Sequence, residues 1–249
     1  MATKSMIGSV CLLVWTVVVP AKLLAESPQA TAASYVEMGN KFARQGEAKL
    51  AIGAYSVAID YAPDFAPAYF RRALAYESRE EHEKAVADYT KTIGIVPDCA
   101  EAYANRGYIF GLQREEKKAF DDWGTALSIN PKLTLAYYNR GSFHLNNGEF
   151  DTALEDLDRA LKIDPRYTLA LNNRGIAKAG KGDMAGAIAD FREAIRIQPN
   201  DPTAYVNLGL ARLRQGSPTE AEMNFTRSIS LKPSLKDFIA TRVAAIEKQ

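Results

Sequence analysis

Six prolines, Pro63, Pro97, Pro131, Pro165, Pro199 and Pro233, fall at strict intervals of 34 residues. No other feature of the chain restricts its fold as much. A fixed period of this length marks one supersecondary unit stacked on copies of itself, each copy burying an apolar face that it cannot cover alone. With the prolines set at position 32 of the unit, residues 32–235 divide without insertion into 32–65, 66–99, 100–133, 134–167, 168–201 and 202–235.

Inside the unit the apolar positions follow the helical period. Position 4 holds Tyr35, Tyr69, Tyr103, Tyr137, Leu171 and Tyr205, and position 8 is small, with Gly39, Ala73, Gly107, Gly141, Gly175 and Gly209. Position 20 is always alanine (Ala51, Ala85, Ala119, Ala153, Ala187, Ala221), and position 24 is large, with Tyr55, Tyr89, Trp123, Leu157, Phe191 and Phe225. Positions 4, 8 and 11 share one face of a first helix, and 20, 24 and 27 share one face of a second. The small residues let the two backbones approach while the large ones fill the space beside them. Gly46, Gly148, Gly182 and Gly216 stand at position 15, where a left-handed cap ends the first helix. The proline stops the second.

This pattern resembles the tetratricopeptide repeat, whose units are helix–turn–helix pairs of this length. The resemblance covers residues 32–235. It implies an all-α fold, an α-solenoid wound as a right-handed superhelix, with first helices lining a concave groove and second helices forming the convex back. Residues 236–249 place Phe238, Ile239, Val243 and Ile246 on one side and charge on the other, which predicts a capping helix over the last unit.

The N-terminus reads differently. Lys4 precedes an apolar run of 14 residues, Met6 to Val19, closed by Pro20 and followed by Ala25. Those three parts match a secretory signal peptide over residues 1–25, cleaved after Ala25, with 26–31 as a short leader. The competing reading is an uncleaved membrane anchor, for which the run is shorter than the ~20 residues a spanning helix needs. Cleavage would leave Cys99 as the only cysteine, so the mature fold would be held by packing without a disulfide. The expected location is periplasmic or secreted, with no membrane contact once the signal is gone.

Composition argues against several functions. The 31 basic residues nearly cancel the 30 acidic ones, so no broad field draws in nucleic acid. The two histidines, His82 in a charged connecting loop and His144 at packing position 11, have no partners at metal-ligand spacing. Carboxylate pairs such as Glu80–Glu81 and Asp121–Asp122 read as solvated helix surface, and there is no glycine-rich phosphate loop. Neither catalysis nor a metal or other cofactor is expected.

The expected activity is binding. The resemblance implies that positions 2, 5, 6, 9, 12 and 13 face the groove. Position 6 carries Asn105, Asn139, Asn173 and Asn207 in the last four units, and asparagine can both donate to and accept from a peptide unit. With helices ~10 Å apart and a strand rising ~3.3 Å per residue, one such rung would meet roughly every third residue of an extended peptide. A similar ladder occurs in the superhelix of O-linked N-acetylglucosamine transferases, where it grips substrate backbone. Apolar neighbours at groove positions (Phe70, Leu74, Tyr108, Leu112, Tyr138, Ile176, Val206 and Leu210) would supply selectivity. The carboxylate clamp of chaperone-binding family members is matched only by Asn40 and is not expected here.

Position 7 has a structural reading. Arg72, Arg106, Arg140 and Arg174 occur in units two to five, and Asp88, Asp122, Asp156 and Asp190 occur at position 23 of the same four. The first and last units lack both, with Met38 and Ala54 in one and Leu208 and Asn224 in the other. Co-occurrence predicts an arginine–carboxylate bridge between the two helices of each unit.

The chain is thus expected to be a non-enzymatic adaptor that holds an extended segment of a partner protein. The alternatives are an assembly module acting by homo-oligomerisation or through its convex face, and an accessory subunit of an envelope enzyme or secretion complex.

Overall fold

The structure is a computed structural model that describes residues 27–247, so the apolar run at Met6–Val19 lies outside the described residues. These residues form six helix pairs: α1 Pro28–Arg44 with α2 Ala48–Tyr61, α3 Ala66–Glu77 with α4 His82–Ile95, α5 Ala100–Leu112 with α6 Glu116–Ile129, α7 Thr134–Asn146 with α8 Phe150–Ile163, α9 Thr168–Gly180 with α10 Met184–Ile197, and α11 Pro202–Arg214 with α12 Pro218–Leu231. A 3₁₀ turn at Pro233–Leu235 leads into α13, Lys236–Glu247. Among the described residues there is no strand, and no helix is long and apolar enough to cross a membrane.

The first helix starts earlier than the repeat phase predicts. Ser27 caps it, its Oγ accepting from Ala30 N at 3.2 Å, and Pro28 occupies the first turn. Most of the expected leader is therefore helix, and Thr31 is already buried. His82 is also helical, as the first residue of α4 rather than part of a loop.

Every first helix ends in the same way. The residue at position 15 takes a positive φ, at Gly46, Gly148, Gly182 and Gly216, and also at Glu80 (59°) and Arg114 (61°). The next backbone N–H then returns five residues, as in Glu47 N to Phe42 O at 3.0 Å and Glu81 N to Tyr76 O at 3.0 Å. This Schellman bond satisfies carbonyls that the helix end would orphan. Glu80 and Arg114 accept a left-handed backbone that costs a side-chain-bearing residue roughly 1–2 kcal/mol, because the helix pairs on both sides dictate it.

Within each pair, the large side chain of position 24 lies over the small residue of position 8. A methyl added to Gly39 would sit 2.3 Å from the Tyr55 ring, on Gly175 2.5 Å from Phe191, and on Gly209 2.4 Å from Phe225. The alanines of position 20 are all buried beneath this contact. Between pairs, α2, α4, α6, α8 and α10 each pack on their own partner and on the next odd-numbered helix, and α1 meets α3, α5 meets α7, α7 meets α9 and α9 meets α11. The odd-numbered layer is the one whose members touch, so it is the inside of the curve, and the even-numbered layer is splayed outside. At the far end Ile239 is buried with Val206 and Phe225, with Val243 beside them, whereas Phe238 remains 47% exposed. The apolar side expected of α13 is thus split between the core and an open edge.

Candidate functional site

The arginines and aspartates predicted to pair lie against each other in all four units. Arg72 Nε and Nη2 donate to the two Asp88 oxygens at 2.7 and 2.9 Å, and Arg106 does the same to Asp122 at 2.8 and 2.8 Å. Arg140 reaches Asp156 at 2.8 and 2.8 Å, and Arg174 reaches Asp190 at 2.9 and 2.6 Å. The carboxylates are buried, Asp122 included, which sets it apart from the surface charge expected beside Asp121. The hydrogen-bonded aspartate raises the pKa of each arginine, against the opposing effect of burial.

A third arm of three of these guanidinium groups was not visible in the pattern. Arg72 Nη1 donates to Ser56 Oγ at 3.0 Å, Arg106 Nη1 to Thr90 Oγ1 at 3.0 Å, and Arg174 Nη1 to Asp158 Oδ1 at 2.8 Å. All three acceptors occupy position 25 of the preceding unit, so the arginine joins three helices across a repeat boundary. Gly124 occupies that position before Arg140, which leaves Arg140 with the intra-unit bridge alone. The signal was in the sequence, as a hydroxyl or carboxylate sixteen residues upstream, but one exception among four obscured it.

The asparagines of position 6 turn out to point along the seam between inner helices rather than straight into the groove. Asn105 is 8% exposed and Asn139 6%. Asn139 Nδ2 donates to the Ala104 carbonyl at 3.3 Å and Asn173 Nδ2 to Ser142 Oγ at 2.8 Å, each in the preceding unit. The physical reason is the pitch of the stack: position 6 lies where one first helix leans on the next, and an amide there finds a partner before it reaches solvent. Asn207 differs, since its Nδ2 is buried with no hydrogen-bond partner among the described residues.

The predicted apolar contacts separate into two groups. Phe70 packs edge-on to Tyr89 with centroids 5.8 Å apart, and Tyr138 to Tyr167 at 5.1 Å. Val206 is buried, and Leu74 and Leu210 lie half-buried against core clusters. Tyr108 (37% exposed), Leu112 (50%) and Ile176 (39%) stay open. All three stand on odd-numbered helices, on the inner wall. At the N-terminal end a cleft of about 570 Å³ opens between α1 and α3, with Asn40, Arg44, Arg71 and Leu74 in its lining.

The buried Tyr89 of α4 reaches across to α3. Tyr89 donates to Glu77 Oε2 at 2.9 Å. Burial pushes the Glu77 carboxyl above its usual range, partly offset by that hydrogen bond, and pushes the Tyr89 phenol far up. His144 is packed by Phe120 and Phe143 with Nδ1 2.5 Å from Glu149 Oε2, a structural setting. Among the described residues no group of three or more His, Cys, Asp or Glu side chains could hold a metal ion.

The geometry is that of an α-helical repeat solenoid whose inner wall is exposed and partly apolar, the form of a protein–protein interaction scaffold. The tetratricopeptide repeat model matches residues 36–98, 138–202 and 172–233, and the chain belongs to that family. Three solved structures share the fold. The hetero-tetramer Cut9–Hcn1 of the APC/C aligns with a TM-score of 0.81 at 17% identity over 91% of this chain, which spans 44% of that one. PilW, a widely conserved type IV pilus biogenesis factor, gives 0.71 at 18% identity over 81% of this chain and 94% of its own. YrrB, a tetratricopeptide repeat protein with an unusual peptide-binding site, gives 0.55 at 22% identity over 79% of this chain and 98% of its own. No curated protein matches the chain.

Proposed function

We propose that the chain is an exported adaptor that holds an extended segment of a partner protein along the inner wall formed by α1, α3, α5, α7, α9 and α11. The observation that carries this reading is the open row of Tyr108, Leu112 and Ile176 on that wall. Leu74 and Leu210, which share position 9 with Tyr108 and Ile176, lie half-buried against core clusters, so Tyr108 and Ile176 stand further open than packing at that position requires. Aromatic and aliphatic side chains on a concave surface anchor partner side chains at modest entropic cost. The seam asparagines set the spacing between rungs, and their remaining carbonyl oxygens are the atoms left to meet a peptide N–H. YrrB, with its peptide-binding site, is built on the same fold.

The test is a crosslinking pull-down from the native cell with the parent chain and a Tyr108→Ala/Leu112→Ala/Ile176→Ala variant. Loss of the parent's partners with an unchanged melting profile supports the groove, and recovery of the same partners by the variant refutes it. Export rests on the apolar run Met6–Val19, and cell fractionation with mass measurement of the N-terminus decides between cleavage after Ala25 and an uncleaved anchor.

A further inference from the structure

A second cleft, of about 520 Å³, lies at the C-terminal end of the inner wall between α9, α11 and α13. Ile176, Leu210, Phe238 and Ile246 make its apolar surface. Two cations stand in its lining, Arg214 and Arg242, and no carboxylate does. Among the described residues neither arginine is in a salt bridge, whereas their neighbour Arg212 is paired with Glu220 at 2.8 Å. The Arg242 guanidinium is held 5.3 Å from the centroid of the Phe238 ring, a cation–π contact that keeps the charge at the rim of the apolar floor. Asn207, whose Nδ2 is buried without a hydrogen-bond partner among the described residues, lines the same cleft.

Three donors around an apolar floor, with no side-chain anion to satisfy them, define a complementary ligand. We propose that this cleft binds a segment of a partner protein in which a large apolar side chain stands beside an aspartate or glutamate. The apolar side chain fills the space between Ile176 and Phe238, and the carboxylate takes the guanidinium groups and the Asn207 amide. Charge-assisted bonds to a carboxylate are the strong ones, and a buried amide donor gains most from an acceptor it otherwise lacks. The apolar floor makes free phosphate or nucleic acid a poor match, and a formal net charge of +1 provides no general field to draw them in. The inference rests on the groove reading above and adds the chemistry of the partner at one end of it.

The test uses the full chain, immobilised, to select from a phage library of random 12-residue peptides, followed by fluorescence anisotropy on synthetic copies of the enriched sequences. The expected result is enrichment of Leu, Ile, Phe or Met next to Asp or Glu. Binding should weaken at least tenfold, about 1.4 kcal/mol, in Arg214→Glu/Arg242→Glu. Both arginines are exposed, so this variant should melt with the parent. Enriched peptides without acidic residues, or binding indifferent to the charge reversal, overturn the assignment. If Tyr108→Ala/Leu112→Ala abolishes binding while the charge-reversed protein retains it, the groove reading stands and the C-terminal cleft is not the site. If neither pair matters, both fall. A parent dimer in light scattering that the charge reversal dissociates would identify the occupant as a second copy and overturn the proposal as stated.

Discussion

Replacing Arg140 by leucine should destabilise the protein, and replacing Asp156 by asparagine as well should restore most of the loss. This pair is the cleanest of the four, since Arg140 lacks the third arm seen elsewhere and donates only to Asp156, twice, at 2.8 Å. The Asp156 side chain is 7% exposed and that of Arg140 26%. Removing one partner of a buried ion pair costs about 3–5 kcal/mol, because the other charge stays desolvated. A guanidinium one quarter exposed leaves a gap that water can enter, which brings the expected loss for Arg140→Leu down to about 2–3 kcal/mol. The double variant copies the last unit, which carries Leu208 and Asn224 at these positions and buries Leu208. It should lie within about 1 kcal/mol of the parent, since no charge is left buried without its partner and the introduced amide has the carbonyl four residues back to donate to, as Asn224 donates to Glu220 O at 2.6 Å. The four proteins of the cycle would be unfolded in urea with far-UV circular dichroism, and the comparison holds where their denaturant slopes agree. A coupling energy of about 2 kcal/mol is expected. A coupling below about 0.5 kcal/mol would mean that the arginine and aspartate co-occur by repeat duplication and that the bridge contributes nothing measurable.

Glu80→Gly should raise stability by about 0.5–1 kcal/mol, the relief of a left-handed residue less the added freedom of the unfolded chain; a fall in melting temperature would contradict the strain assigned to φ 59°. Gly175→Ala should cost about 1–3 kcal/mol, because its methyl would meet the Phe191 ring at 2.5 Å. Adding Phe191→Leu, the residue type that the fourth unit carries there as Leu157, should recover part of it in the same melting assay, since a methyl on Gly141 would meet Leu157 only at 3.1 Å. Burial raises the folded pKa of Glu77, so the folded state binds this proton more tightly than the unfolded state does. The contribution of this group to stability is then greatest in acid and is lost as pH rises from the ordinary carboxylate range through the folded value. Glu77→Gln should therefore be more stable than the parent at pH 7, with the advantage shrinking in acid; an advantage independent of pH in urea titrations would exclude a buried carboxylate as its source.

Much of this architecture is legible in one dimension because the period is. Thirty-four residues recur without insertion, so a position number stands for a place in space, and a small residue at 8 opposite a ring at 24 needs no coordinates to suggest close helices. The arginine–aspartate pairing was readable for the same reason: both members vanish from the same two units. The asparagines were harder. Their face of the first helix is set by sequence, but whether that face meets solvent or the preceding helix depends on how one unit leans on the next. Asn139 and Asn173 show the lean by bonding to Ala104 and Ser142 of the unit before.

Local pattern, then, dictated the helices, their close crossing and the salt bridges that tie the four middle pairs, since those depend on contacts within one unit. The tertiary structure decided what relates one unit to another. It imposed the left-handed turns at Glu80 and Arg114, where no glycine signals them. It sent the third arginine arm across the repeat boundary to Ser56, Thr90 and Asp158. It also left Phe238 of the capping helix beside Arg214 and Arg242 at an open cleft. Such features depend on the angle between stacked units, which is the sum of many small side-chain contacts and is written at no single position of the repeat.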